Sequence, residues 1–350
     1  MIEEQKSITP LNNLGEFGLI QHLTKDIEII NKETIKGIGD DSAILSFKED
    51  EEVLLSSDLL IEGVHFDVSY CPLKHLGYKA AVVNFSDIYA MMGTPKQLTV
   101  SMAVSSKYTV EAMEELYEGL LLACHNYGVD LVGGDTSSSL YGLVLSLTVT
   151  GSVEKGKGVL RSTAKKGDLL VVSGDLGGAY MGLQLLEREK AVYLENPQIQ
   201  PDLEGFDYLL ERQLKPEARK DIVEKLRALE VAPTAMIDIS DGLSSEILHL
   251  CNASNLGCKL YEEKIPIDTL TYNIAREFEL DPTTCALNGG EDYELLFTIH
   301  QDEYDKIKND PDFTVVGYMT DESDGAILID KSGGQHALLA QGWKVFNSGN

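Results

Sequence analysis

Acidic side chains set beside Gly or Ser at the ends of apolar runs constrain this chain more than any other feature. Six such motifs occur: Gly39-Asp40-Asp41, Ser56-Ser57-Asp58, Ser86-Asp87, Gly133-Gly134-Asp135, Asp238-Ile239-Ser240-Asp241-Gly242 and Gly289-Gly290-Glu291-Asp292. Two carboxylates brought to ~4 Å repel by roughly 4 kcal/mol at an effective dielectric of 20. A fold that gathers several must neutralise them, and hard divalent cations with oxygen ligands do so most directly. The pattern points to Mg²⁺, and Mg²⁺ points to phosphate.

At 350 residues the chain exceeds the length at which one core usually splits, so two domains are expected. Their boundary is placed near 151–166, where Gly and Lys are dense and the apolar pattern lapses. A net charge of −28 argues against nucleic acid or an anionic membrane as partner, since both reward Lys and Arg. The five cysteines contain no C-x-x-C pair, which favours free thiols in a reducing, cytoplasmic setting over a disulfide framework or zinc site. No stretch approaches the ~18 apolar residues of a membrane span.

Periodicity predicts helices over 14–31, 79–92, 110–127, 177–190, 218–229 and 243–254. Strands are expected over 42–47, 53–57, 98–104, 130–132, 141–153, 168–173, 235–239 and 294–300. Pattern alone therefore gives α/β or α+β in two domains. The polar stretch 194–216 reads as a connection.

Each motif admits a plainer explanation. Gly39-Asp40-Asp41 could be an Asx-turn, Gly133-Gly134-Asp135 a tight hairpin turn, and Ser240 or Asp241 a helix N-cap. Asp87 is harder to dismiss. It lies between Val83 and Met91 on an apolar helical stripe, where a carboxylate must be paired or metal-bound. Gly151–Gly158 mimics a P-loop but ends in Gly where Ser or Thr is needed, and no helix follows. No histidine has a Ser or Cys signature beside it. His65, close after Asp58, is a candidate for touching substrate.

Taken together, the motifs resemble the thiamine-monophosphate kinase family of the aminoimidazole-ribonucleotide-synthetase-like ATP-binding superfamily. The match runs from Leu14-Gly15-Glu16-Phe17 through Gly37-Ile38-Gly39-Asp40-Asp41, Gly63-Val64-His65-Phe66, Asn84-Phe85-Ser86-Asp87 and Gly133-Gly134-Asp135-Thr136. It continues through Arg161-Ser162, Ile237–Leu243 and Gly289–Leu295 to Gly342-Trp343. The resemblance implies an N-terminal domain (1–155) that binds ATP and Mg²⁺ and forms a dimeric β-barrel-like interface. It implies a C-terminal α/β domain (156–350) completing the nucleotide and substrate cleft of a homodimer. The reaction implied is ATP-dependent phosphorylation of thiamine monophosphate to thiamine diphosphate by direct in-line transfer, with no covalent nucleophile or base.

By position, the resemblance assigns Asp41, Ser56, Ser57, Asp58, Asp87, Asp135, Asp238 and Asp241 to several Mg²⁺ ions. Gly134, Asp135, Arg161, Ser240 and Tyr117 fall to ATP, and His65, Glu291 and Trp343 to thiamine monophosphate. Departures from the family pattern are a short N-terminal extension and a longer connection over 193–212, both read as peripheral, and Ser137-Ser138-Ser139, which would alter the neighbourhood of the phosphates. The competing readings are another ATP-dependent enzyme of the superfamily, or an inactive nucleotide- and Mg²⁺-binding regulator. The string 289–295 and Trp343 count against the first, and the retention of every matching acid counts against the second.

Overall fold

The computed structural model describes residues 9–39 and 42–341; Asp41 and Trp343 lie outside them. The chain divides into two compact units at Ile88/Tyr89, Met92/Gly93 and Gly156/Lys157. Both mix helices with sheets. Among the described residues no helix is long and apolar enough to cross a membrane, and all five cysteines are free and buried.

The first unit contains α1 (Gly15–Thr24), a ribbon of β1 (Thr34–Lys36) and β2 (Ile44–Leu45), and the long strand β3 (Glu51–Ile61). Then come α2 (Leu73–Tyr89), β4 (Thr94–Val104), α3 (Val110–Tyr127), β5 (Asp130–Ser138) and β6 (Leu143–Glu154). The four long strands form a sheet in the order β3-β6-β4-β5, parallel only between β4 and β5, which α3 connects. Alternate residues of the sheet are buried, and on that side α2 and α3 cross with their backbones in contact. A Cβ on Gly77 would lie 1.9 Å from the Leu116 carbonyl oxygen, and one on Gly119 1.7 Å from that of Lys74.

Local chemistry accounts for the boundaries. The Thr109 side chain caps α3 by accepting from Ala112 N–H at 3.2 Å, and Gly128 closes it in the left-handed region at φ 71°. Helix α1 stops well short of residue 31. The buried carboxylate of Asp130 accepts from the N–H groups of Ile30 and Asn31 and from the Thr34 hydroxyl at 2.6 Å, drawing that segment into extended chain. Strand β5 runs straight through Gly133-Gly134-Asp135, beyond the 130–132 read from the sequence, and does not make the hairpin turn that was the plainer alternative. A bulge between Leu98 and Thr99 shifts its register, and a Cβ on Gly134 would fall 2.0 Å from the Val100 carbonyl oxygen. That glycine is required by the neighbouring strand. The other sheet face carries large apolar side chains in the open, with Val53 51%, Leu55 69% and Leu59 50% exposed.

The second unit continues with β7 (Leu169–Ser173), α4 (Gly178–Glu195), α5 (Asp207–Leu214), α6 (Lys220–Ala228), β8 (Ala235–Asp238) and α7 (Leu243–Ser254). It ends with β9 (Leu256–Tyr261), α8 (Thr269–Glu277), α9 (Pro282–Asn288), β10 (Leu295–Ile299), α10 (Tyr304–Ile307), β11 (Phe313–Asp321), β12 (Ala326–Ile329) and β13 (Gln335–Ala337). Its sheet has the order β13-β12-β9-β11-β7-β10-β8 and is antiparallel except between β12 and β9. The core packs Leu170, Val172, Ile237 and Leu296 against Leu243, Ile247 and Leu250 of α7. Helix α5 starts inside the connection 193–212 that was read as peripheral, and it is not peripheral. It packs so closely on α4 that a Cβ on Gly182 would meet the Leu209 carbonyl oxygen at 2.1 Å.

Candidate functional site

In the first unit, strand alternation sorts the candidate residues. Ser56 and Asp58 stand two apart on β3 and share its helix-covered face, where Asp87 arrives from α2. The Ser56 hydroxyl donates to Asp87 Oδ2. Burial, reinforced by the Asp87 charge, pushes the Asp58 carboxyl from 3.8 up to about 6. Two carboxylates and a hydroxyl thus meet where water is scarce, a combination suited to a hard cation.

Ser57 points the other way. Its hydroxyl donates to the Leu147 carbonyl at 3.0 Å and lies 3.0 Å from the Thr148 hydroxyl. Asp135 is exposed and, by register, shares the open face with Ser101, Ser146 and Leu59. Three strand spacings, about 14 Å, separate β5 from β3. Within one chain, therefore, Ser57 and Asp135 do not join Ser56, Asp58 and Asp87. Gly134, next to Asp135, fits the bulged pairing just described. Tyr117 is buried on α3, and that burial pushes its phenol up to about 12.

His65 is exposed, and its Nδ1 accepts from Ile61 N–H at 3.0 Å. Glu62 ties down its loop. That carboxylate accepts from the Tyr108 hydroxyl at 2.7 Å and from Leu143 N–H at 2.8 Å, and it pairs with Lys107.

In the second unit, two separate motifs come together. Glu291 N–H donates to the Ser240 carbonyl at 2.7 Å, Tyr293 N–H to that of Ile239 at 2.9 Å, and Ile239 N–H to that of Glu294 at 2.7 Å. The loop 289–294 therefore lies along the turn that follows buried Asp238. Gly290, Glu291 and Tyr293 all adopt left-handed φ values of 72°, 59° and 52°. Two of these are not glycine, a strained arrangement of the kind that clusters at functional sites. Arg161 is exposed, and its carbonyl accepts from the Ser254 hydroxyl at 3.1 Å.

The three acids in this loop are held by different partners. Glu294 accepts from Arg212 at 2.9 Å, from Arg219, and from the Ser173 hydroxyl at 2.5 Å. Asp292 accepts from Gly177 N–H at 2.9 Å at the start of α4 and pairs with Arg212 at 3.4 Å. Glu291 Oε2 accepts from Gln213 Nε2 at 2.9 Å. Asp292 and Glu294 thus hold the loop in place, and Glu291 remains beside Ser240.

Sequence reasoning missed Arg212, Gln213, Arg219 and Glu246. The first three lie in or just after the supposed connection and had no local signal. Glu246 had one. It shares the stripe of α7 that carries Leu243, Ile247 and Leu250, the same pattern that singled out Asp87. The side chain is 2% exposed, and its Oε1 accepts from Asp241 N–H at 3.1 Å. Burial, with the charges of Asp241 and Asp238 adding, pushes its carboxyl up to about 8. Burial likewise raises Asp241, against the pull of His249. Among the described residues, no three His, Cys, Asp or Glu side chains stand close enough to form a complete metal shell.

Residues 39–153 match the family of AIR synthase related protein, N-terminal domain. The chain is 34% identical to the thiamine-monophosphate kinase of Bacillus subtilis (strain 168) over 95% of its own length and all of that protein. It is 35% identical to the thiamine-monophosphate kinase of Aquifex aeolicus (strain VF5), over 96% of this chain and 99% of that one. Among solved structures, AaThiL complexed with AMPPCP and TMP superposes with a TM-score of 0.74 at 34% identity, covering 96% of this chain and 98% of that chain. Similarity at this level, end to end, places the chain in the thiamine-monophosphate kinase family.

Proposed function

We propose that this protein transfers the γ-phosphoryl group of ATP to thiamine monophosphate, giving thiamine diphosphate and ADP. The observation that carries this reading is the end-to-end similarity to kinases of that name, one solved with AMPPCP and TMP. The site chemistry agrees. Phosphoryl transfer needs positioning and charge neutralisation more than a covalent group. An oxygen of the acceptor phosphate attacks the γ-phosphorus in line, the bond to the β–γ bridging oxygen breaks, and ADP departs. That oxygen is already ionised near neutral pH, so the chain need supply no strong base.

The acidic residues fit Mg²⁺. Asp58 is held half-buried against Asp87 at a free-energy cost, and Glu246 leaves a carboxylate oxygen buried beside Asp238 and Asp241. Ser56, Asp58 and Asp87 in the first unit, and Asp238 and Asp241 in the second, would hold the ions, with Asp41 a further ligand and Ser57 and Asp135, on the other face of their sheet, ligands apart from the Ser56, Asp58 and Asp87 set. Bound Mg²⁺ neutralises the phosphate oxygens as charge redistributes. Gly134, Asp135, Arg161 and Ser240 would contact ATP, with buried Tyr117 the weakest candidate. His65, Glu291 and Trp343 would face thiamine monophosphate, Trp343 by stacking.

The first unit would also dimerise through the open apolar face of its sheet, in a barrel-like arrangement. Val53, Leu55 and Leu59 support this, since a sheet face so apolar is poorly suited to water. The cytoplasm, where thiols stay reduced, suits the five free cysteines.

The test is ADP release from ATP and Mg²⁺ with thiamine monophosphate, thiamine or aminoimidazole-type acceptors. Turnover with thiamine monophosphate alone, abolished by Asp87→Ala, is expected. ATP binding without turnover on any acceptor would refute the kinase reading.

A further inference from the structure

Helix α7 begins directly after the Asp238–Gly242 turn, and its first turns carry a carboxylate that has only half of its needs met. Glu246 Oε1 accepts from the backbone N–H of Asp241, but Oε2 has no hydrogen-bond partner although the side chain is 2% exposed. A buried carboxylate oxygen left in this way is costly in either protonation state: ionised it needs a donor, and protonated it needs an acceptor. Asp238 and Asp241 bring further negative charge, Leu243, Ile247 and Leu250 are apolar, and the buried Ser244 hydroxyl on the same helix is likewise without a hydrogen-bond partner.

We propose that Glu246 is a positioning residue for the cation held by Asp238 and Asp241, its Oε2 accepting a hydrogen bond from a water bound to that cation. The inference rests on the Mg²⁺ reading given above. Mg²⁺ usually keeps several waters, and carboxylates just beyond its direct ligands orient those waters. Glu246 links both tasks through one group, with one oxygen fixing the Asp241 backbone and the other steadying the hydrated ion.

Mn²⁺ is the probe, titrated into the full-length protein without nucleotide and followed by loss of the free-ion electron paramagnetic resonance signal. An Asp87→Asn background silences the cation set of the first unit. In that background Glu246→Gln is compared with Glu246→Leu and Asp238→Asn, each with its melting temperature in EDTA. Glutamine keeps an oxygen to accept from Asp241 N–H, so a purely structural role predicts wild-type affinity for Glu246→Gln. The proposal predicts that Glu246→Gln and Glu246→Leu both weaken Mn²⁺ about 10-fold or more, with no fall in melting temperature for the glutamine variant. Weakening by Asp238→Asn but not by Glu246→Gln overturns the role of Glu246 and leaves the cation reading intact. Unchanged binding in all three variants, or no Mn²⁺ bound at all, overturns the cation reading of this motif as well.

Discussion

Replacing Asp58 with asparagine should stabilise the metal-free protein while destroying its function. In the folded chain, burial and the Asp87 charge lift the Asp58 carboxyl from 3.8 to about 6. A folded-state value above the unfolded one means that the proton bound by Asp58 stabilises the fold. That contribution is complete below pH 4 and is lost as pH rises through 6. The gap corresponds to about 3 kcal/mol, which the ionised protein lacks at pH 7.5 and which Asp58→Asn should recover in part or whole. For a unit of this size the gain is on the order of 5–10 °C in melting temperature.

The assay is a thermal melt of both proteins in EDTA between pH 4 and 8. The variant's advantage should be greatest above pH 7, shrink as pH falls through 6, and vanish near pH 4. Adding Mg²⁺ should raise the melting temperature of the wild type and do little for the variant, which should also fail to turn over. If Asp58→Asn is no more stable than wild type in EDTA at pH 7.5, or if the difference does not change with pH, the carboxylate is not held at a cost and the argument fails.

Other substitutions probe the scaffold. Arg212→Ala leaves Asp292 and Glu294 buried with a lost partner, and breaking such a pair typically costs about 3–5 kcal/mol; a urea midpoint close to wild type would show that Arg219 and Ser173 suffice. Gly119→Ala drives a methyl group to 1.7 Å from the Lys74 carbonyl and should cost about 1–3 kcal/mol or more by forcing α2 and α3 apart, measured by thermal melting. Leu55→Glu charges an exposed face without touching a core; light scattering should report a monomer for the variant against the proposed dimer for the wild type, and an unchanged mass would place the interface elsewhere.

Short-range features were legible in the chain itself. Helix α3 begins and ends where its Thr cap and Gly stop place it, and α7 spans the residues that periodicity assigns to it. Asp87 stood out because a carboxylate on an apolar stripe is anomalous wherever the helix packs. The same test would have found Glu246. These signals are local: a cap, a period and a charge out of place are all visible within one or two helical turns.

Tertiary structure decided what those residues meet. Ser56 and Asp58 face Asp87 while Ser57 does not, because a strand alternates its side chains and only the packing of α2 selects one face. The glycines of Gly133-Gly134 serve a bulged strand pair, a fact that depends on which strand lies alongside. Asp292 and Glu294 look like site acids in sequence, yet arginines some eighty residues away in the chain hold them as struts. Sequence reveals which groups are costly to bury; only the fold brings together the distant charges, donors and backbones that decide how each cost is met.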